Sequence, residues 1–146
     1  MQKPNRIREL LQSGKTVTGV LVFTGSPMVV EMAAAAGADF VIVDMEHSAL
    51  DLDRAAHLIR AADAAGITPF VRVPEVDAAL VKKLMNLDAA GIVLPHANRE
   101  NCAALIKAMH YAPEGERGAD GLAALRGAAA ARQHRHALVH RDAKRG

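Results

Sequence analysis

The chain has 146 residues, of which 51% are hydrophobic and 23% charged, with a formal net charge of +2; that is one domain's length and a core-forming rather than disordered composition. Aromatic residues make up only 3%, with no Trp, too few for the stacking platforms of nucleic-acid-binding modules. The lone Cys102 excludes a disulfide framework or a zinc site of several thiolates, and neither a secretory leader nor a membrane-length apolar run is visible. The expectation is a cytoplasmic protein with no nucleic-acid or membrane partner.

In chain order, Arg6 to Ser13 has the pattern of a short amphipathic helix closed by Gly14. Val17 to Phe23 is an apolar run of strand length. Ser26-Pro27 then supplies an N-cap and a first helical residue for a helix ending at Gly37. Phe40 to Val43 is apolar at successive positions, which suits a strand covered on both faces. A helix starts at Asp51 or Asp53, carries Leu52, Ala55, Ala56 and Ile59 on its apolar side, and ends at Gly66. Thr68 to Val73 is the third strand. Asp77 caps a helix on which Leu80, Leu84 and Leu87 share a face while Lys82 and Lys83 point to water. Gly91 to Leu94 is the fourth strand, and Asn98 caps a helix with Cys102, Leu105, Ile106 and Met109 at i, i+3, i+4, i+7 spacing.

One helix followed by four strand–helix units implies right-handed crossovers and a parallel sheet. Two α/β architectures fit: an open doubly wound sheet, or the first half of a (β/α)8 TIM barrel. The dinucleotide fingerprint and the P-loop are both absent, which weakens the nucleotide-binding versions of the open sheet.

Composition changes near Gly118. Residues 1–118 hold 12 Lys+Arg against 14 Asp+Glu, whereas residues 119–146 hold 6 against 2 and are rich in Ala, Arg and His. This division gives an α/β region, 1–118, which the resemblance described below makes part of a TIM barrel, and a tail, 119–146, outside it. The tail reads in three ways: out-of-frame translation of GC-rich DNA, a plain solvated or helical extension, or a phosphate-binding arm.

Ligands of parallel α/β folds bind at the carboxyl ends of the strands. There the sequence places Phe23-Thr24-Gly25-Ser26, Asp44-Met45-Glu46-His47, Arg72-Val73-Pro74-Glu75 and Pro95-His96. The opposite rim is almost bare of ionisable groups. Such a set supports proton transfer beside a carbonyl, with histidine as acid–base and arginine holding a carboxylate or a developing oxyanion. Each residue also has a plainer reading. Asp44 could cap a turn, Glu46 and His47 could be a surface pair, and Arg72 could form a structural salt bridge with Asp44 or Glu46, since an unpaired charge in an apolar strand is costly. His96 is the weaker rim candidate. His57 reads as packed or solvated, His110 as a partner of a helix dipole, and Cys102 as a small hydrophobe.

The blocks SPMVVEMAAAAGADFVIVDMEHSALD, PFVRVPEVD, AAGIVLPHANRENCA and YAPEGERG, in that order, resemble the HpcH/HpaI aldolases over about residues 5–118. The most specific pieces are DMEHS and VRVP. The resemblance implies a (β/α)8 barrel and a class II pyruvate aldolase, a lyase that cleaves 2-keto-4-hydroxy acids reversibly to pyruvate and an aldehyde. It implies Mg²⁺ or Mn²⁺, in some members Co²⁺, as Lewis acid, and a homo-oligomer, commonly a hexamer. By motif match His47 is the acid–base, Asp44 orients it, Arg72 binds the keto or enolate oxygen of the substrate, and Glu46 lies near the cation's water shell.

The direct metal ligands of that family, a Glu in a P-x-I/M-E-T motif and a later Asp, have no counterpart in this sequence. The chain is therefore expected to be truncated relative to a full aldolase, with negligible activity unless a second chain supplies the remainder. The alternative is a non-catalytic fragment or oligomerising module, whose open sheet edges and uncovered apolar face favour association.

Overall fold

The computed structural model describes residues 6–111, 113 and 115, together with the backbone of Leu138 and Val139. Its elements are α1 (Arg6–Gln12), β1 (Gly19–Val22), α2 (Pro27–Ala35), β2 (Phe40–Asp44), α3 (Leu52–Ala65), β3 (Thr68–Arg72), α4 (Ala78–Asn86), β4 (Gly91–Leu94), α5 (Arg99–Met109) and β5 (Leu138–Val139). The strands lie in the order β1-β2-β3-β4-β5, all parallel. This is the α/β architecture of the first half of a (β/α)8 barrel. The tail readings concern residues 119–146, which lie outside the described residues apart from the backbone of β5.

The boundaries follow local chemistry. Asp51 caps α3 by accepting from Arg54 N at 2.8 Å, and Gly66 closes the helix in the left-handed region at φ 76°. Asp77 caps α4 through the N–H groups of Ala79 and Leu80. Asn98 and Asn101 form a reciprocal capping box at the start of α5.

The period of two along each strand sorts side chains onto two faces. Val41 and Val43 of β2, Val71 of β3, and Ile92 and Leu94 of β4 pack under α2–α5, against Val30, Leu58, Ile59, Leu84, Met85 and Leu105. Each such buried aliphatic side chain contributes about 1.5–3 kcal/mol relative to exposure. The other face carries Phe40, Ile42, Phe70 and Val93, with Ile7 of α1 laid against them. Phe40 and Phe70 meet edge to face at 5.8 Å between centroids.

Two helices sit rotated from the expected faces. In α4 the buried seam is Val81, Leu84 and Met85, with Leu80, Leu87 and Lys82 half-buried. In α5 it is Leu105, Ala108 and Met109, while Cys102 is half-buried and Ile106 is 47% exposed. Both helices carry apolar residues over more than half their circumference, so periodicity alone leaves their rotation open by about one residue.

Candidate functional site

Asp44 is the last residue of β2 and Arg72 the last of β3, and the two are register partners. Asp44 follows Phe40 and Ile42 at i+4 and i+2, and Arg72 follows Phe70 at i+2, so both side chains rise on the α1-covered face at its carboxyl end. Burial against two apolar rows then requires them to neutralise each other. Arg72 Nε donates to Asp44 Oδ1 at 3.0 Å, and Arg72 Nη2 donates to Asp44 Oδ2 at 2.5 Å. The pairing is bidentate, which matches the planar guanidinium to the carboxylate.

Asp44 also organises the loop that follows it. Its Oδ1 accepts from the N–H of Glu46 at 2.8 Å and of His47 at 3.2 Å, while its backbone carbonyl accepts from the Ser48 hydroxyl. Asp44 has no exposed surface. Burial pushes its carboxyl pKa up, but the Arg72 hydrogen bonds, the two loop N–H groups and the Arg72 charge outweigh this and hold it below the ordinary 3.8.

The folded loop brings His47 over the pair. Arg72 Nη2 lies 3.0 Å from His47 Nδ1. A guanidinium only donates, so Nδ1 accepts in the neutral ring and the hydrogen sits on Nε2. Glu46 Oε2 lies 3.2 Å from Arg72 Nε, within ion-pair range, and 3.3 Å from His47 Nδ1. Neither approach has hydrogen-bond geometry, which leaves this oxygen buried and unsatisfied among the described residues.

Asp44, Glu46 and His47 each offer a ligand atom, all within 4.8 Å of one another, compact enough to hold one cation. As arranged, the set does not make a first coordination shell. Both Asp44 oxygens are committed to donors, and a guanidinium already stands in the cluster. Hard divalent cations take about six oxygen ligands. The orphaned Glu46 oxygen does fit an outer-shell role, accepting from a water on a nearby cation.

The structure thus unites Asp44, Glu46, His47 and Arg72, and both plainer options for Arg72 hold at once, since it pairs with Asp44 and Glu46 together. His96 lies at the end of β4, exposed and in the left-handed region at φ 50°, its carbonyl accepting from Asn101 Nδ2. His57 is exposed on α3 and 3.7 Å from Asp53, a solvated pair. His110 is the C-cap of α5.

Beside the charged cluster, on the same rim, a cleft of about 570 Å³ opens between Phe23–Pro27, after β1, and Ala49, Leu50 and Arg54, at the start of α3. None of the four clustered residues lines it. It adjoins them through the β2–α3 loop. The sequence singled out the β1 end but not Arg54, because an arginine in the first turn of an amphipathic helix has the pattern of a solvated face.

The profile of the HpcH/HpaI aldolase/citrate lyase family matches residues 18–139. A hydroxypyruvate/pyruvate aldolase of Agrobacterium fabrum is 32% identical over 115 residues, which cover 78% of this chain and 43% of that protein. Among solved structures, an HpcH/HpaI aldolase from Desulfitobacterium hafniense superposes with a TM-score of 0.74 at 34% identity, covering 82% of this chain and 47% of the other. The citrate synthase SbnG does so at 0.72 and 39% identity, covering 77% and 46%. The chain spans less than half the length of each of these relatives. With the family profile running from β1 through β5, the chain belongs to the HpcH/HpaI aldolase/citrate lyase family.

Proposed function

We propose that the chain carries the acid–base and arginine part of a class II, divalent-cation-dependent pyruvate aldolase site, and that by itself it is catalytically incomplete. The reaction is reversible cleavage of a 2-keto-4-hydroxy acid to pyruvate and an aldehyde. The observation that carries this reading is Arg72 shared between the Asp44 carboxylate and His47 Nδ1 at the carboxyl end of two adjacent strands. Kinship with a hydroxypyruvate/pyruvate aldolase supports the substrate class.

In this reading Arg72 turns one N–H toward the keto oxygen of the substrate. That movement releases the Nδ1 lone pair of His47, which takes the proton of the C4 hydroxyl. The C3–C4 bond breaks, the aldehyde leaves, and the electron pair passes into the pyruvate enolate, whose oxygen Arg72 holds. His47 then returns the proton to C3. Asp44 keeps both partners in place through its hydrogen bonds. A cation such as Mg²⁺, Mn²⁺ or Co²⁺ would supply Lewis acidity when bound; Glu46 would accept from its water shell, and its direct ligands would come from outside the described residues. Residues 1–118 form most of the barrel part, β5 from within the region 119–146 adds a strand to it beside β4, and the protein works as a cytoplasmic homo-oligomer.

The test is pyruvate binding and pyruvate release from a 2-keto-4-hydroxy acid, with and without EDTA. The chain alone is expected to bind pyruvate with turnover below detection, and Arg72→Lys, which loses the planar fork, to weaken binding about tenfold. Turnover that persists in EDTA or in His47→Ala overturns the assigned roles.

A further inference from the structure

We infer that Ser48 is a positioning residue for His47: its hydroxyl closes the β2–α3 loop and thereby decides which imidazole nitrogen keeps its lone pair beside Arg72. This rests on the aldolase reading above, in which Nδ1 of His47 takes the substrate proton. It adds the group that keeps Nδ1 free of hydrogen.

The loop is anchored at both ends. Met45 donates its N–H to the Arg72 carbonyl at 2.9 Å, one residue beyond the last register pair of β2 and β3, and both Met45 and Leu50 pack against the core. Ser48 lies between them, half-buried, and its hydroxyl both donates and accepts. It donates to the Asp44 carbonyl and accepts from the Leu50 N–H at 3.2 Å. The far anchor is thus tied to the residue that starts the loop. Asp44 Oδ1 holds the near half through the N–H groups of Glu46 and His47, and the Ser48 bridge holds the half beyond His47.

His47 needs that support because packing gives it little. Its side chain is 63% exposed, so the backbone on either side sets where the ring stands. Two groups compete for Nδ1. Arg72 Nη2 stands 3.0 Å away and can only donate. Glu46 Oε2 stands 3.3 Å away, buried and unsatisfied among the described residues, and as a carboxylate can only accept.

With the loop closed, Nδ1 faces Arg72 and the ring hydrogen sits on Nε2. A rotated ring would carry its hydrogen on Nδ1 and donate it to Glu46, which satisfies that oxygen. The two arrangements are opposite tautomers. Only the first leaves a lone pair on the side of the guanidinium that meets the keto oxygen. Ser48 therefore touches no substrate; it selects the form of the residue that does.

The experiment compares the parent with Ser48→Thr and Ser48→Val, branched side chains of one shape that differ in the hydroxyl. Ring ¹⁵N spectra of the histidine-labelled chain are taken at about pH 8.5, where imidazole is neutral, and His47 is assigned by its loss in His47→Gln. The parent and S48T are expected to show His47 as the Nε2–H tautomer alone. S48V is expected to lose that purity and show Nδ1–H as well, while the Arg72 Nε–H signal keeps its place in the pair with Asp44. Ser48→Ala carries the same expectation and serves if Val is not tolerated in the fold. A pure Nε2–H pattern in the variants without the hydroxyl, even beside a lower urea midpoint, overturns the inference, because Ser48 then only supports the fold. So does a mixed pattern in S48T, or an Arg72 signal lost together with the His47 pattern. Pyruvate added to the parent separates the two levels. Pyruvate that moves neither Arg72 nor His47 refutes the aldolase reading and leaves the hold of Ser48 on the tautomer standing. Pyruvate that moves Arg72 in a chain whose His47 ignores the loss of the hydroxyl refutes the role of Ser48 alone.

Discussion

Asp44 is the one fully buried charged side chain among the described residues, and its ionisation is tied to Arg72. Its carboxyl pKa is lower in the folded chain than in the unfolded one. The unfolded chain therefore binds this proton first, and the stability Asp44 contributes is present above the unfolded value and lost as pH falls through the folded one. Urea unfolding is expected to show an acid limb beginning near pH 4, shallower in Asp44→Asn. Removing the cation instead, with Arg72→Met, strands a buried carboxylate and is expected to destabilise by about 3–5 kcal/mol. These charged residues were legible because their setting is improbable: an acid and an arginine each closing an apolar strand, and a Glu-His pair two residues on. Arg54 was not, because it meets the cleft only where α3 faces the β1–α2 turn, far off in sequence and adjacent only through folding.

Single elements show where the sequence speaks and where it falls silent. Caps and strand cores were readable because each depends on one or two neighbouring residues, as with Asp51, Asp77, Asn98 and Gly66. Helix rotation was not, because α4 and α5 offer alternative apolar seams and the sheet beneath chooses between them. The strand β5 was unreadable for another reason: two residues, Leu138 and Val139, carry no period, and their pairing with Val93 and Leu94 is a long-range event. Gly19 gives a test at this scale. The Phe40 ring occupies the space a Cβ at Gly19 would need, and that ring is braced by Phe70. Gly19→Ala is expected to destabilise by about 1–3 kcal/mol through overpacking, and Phe40→Leu in the same chain to restore part of the loss. Additive losses in the double variant would show that the two sites do not share this space.

At the scale of the molecule, an open parallel sheet has edges that a closed barrel lacks. β4 is met by β5 at one edge, while β1 is terminal in the sheet at the other. Around β1 the apolar surface is uncovered: Val20 and Leu21 are 38% exposed, and Phe23, Met28 and Met32 stand further out still. Backbone donors and acceptors of an edge strand beside exposed aliphatic side chains make a template for another chain. No described helix is long and apolar enough to cross a membrane. Light scattering after size-exclusion chromatography is expected to give a mass above the 15.5 kDa of one chain, rising with loading concentration. Leu21→Lys places a charge on the edge strand, and Met32→Lys places one on the adjoining helix face. Together they are expected to shift the chain toward the monomer without altering the Asp44–Arg72 pair. A parent chain that elutes as a monomer at every concentration would show that β1 is tolerated as a free edge, and would remove the homo-oligomer from the proposed function while leaving the chemistry of the rim untouched.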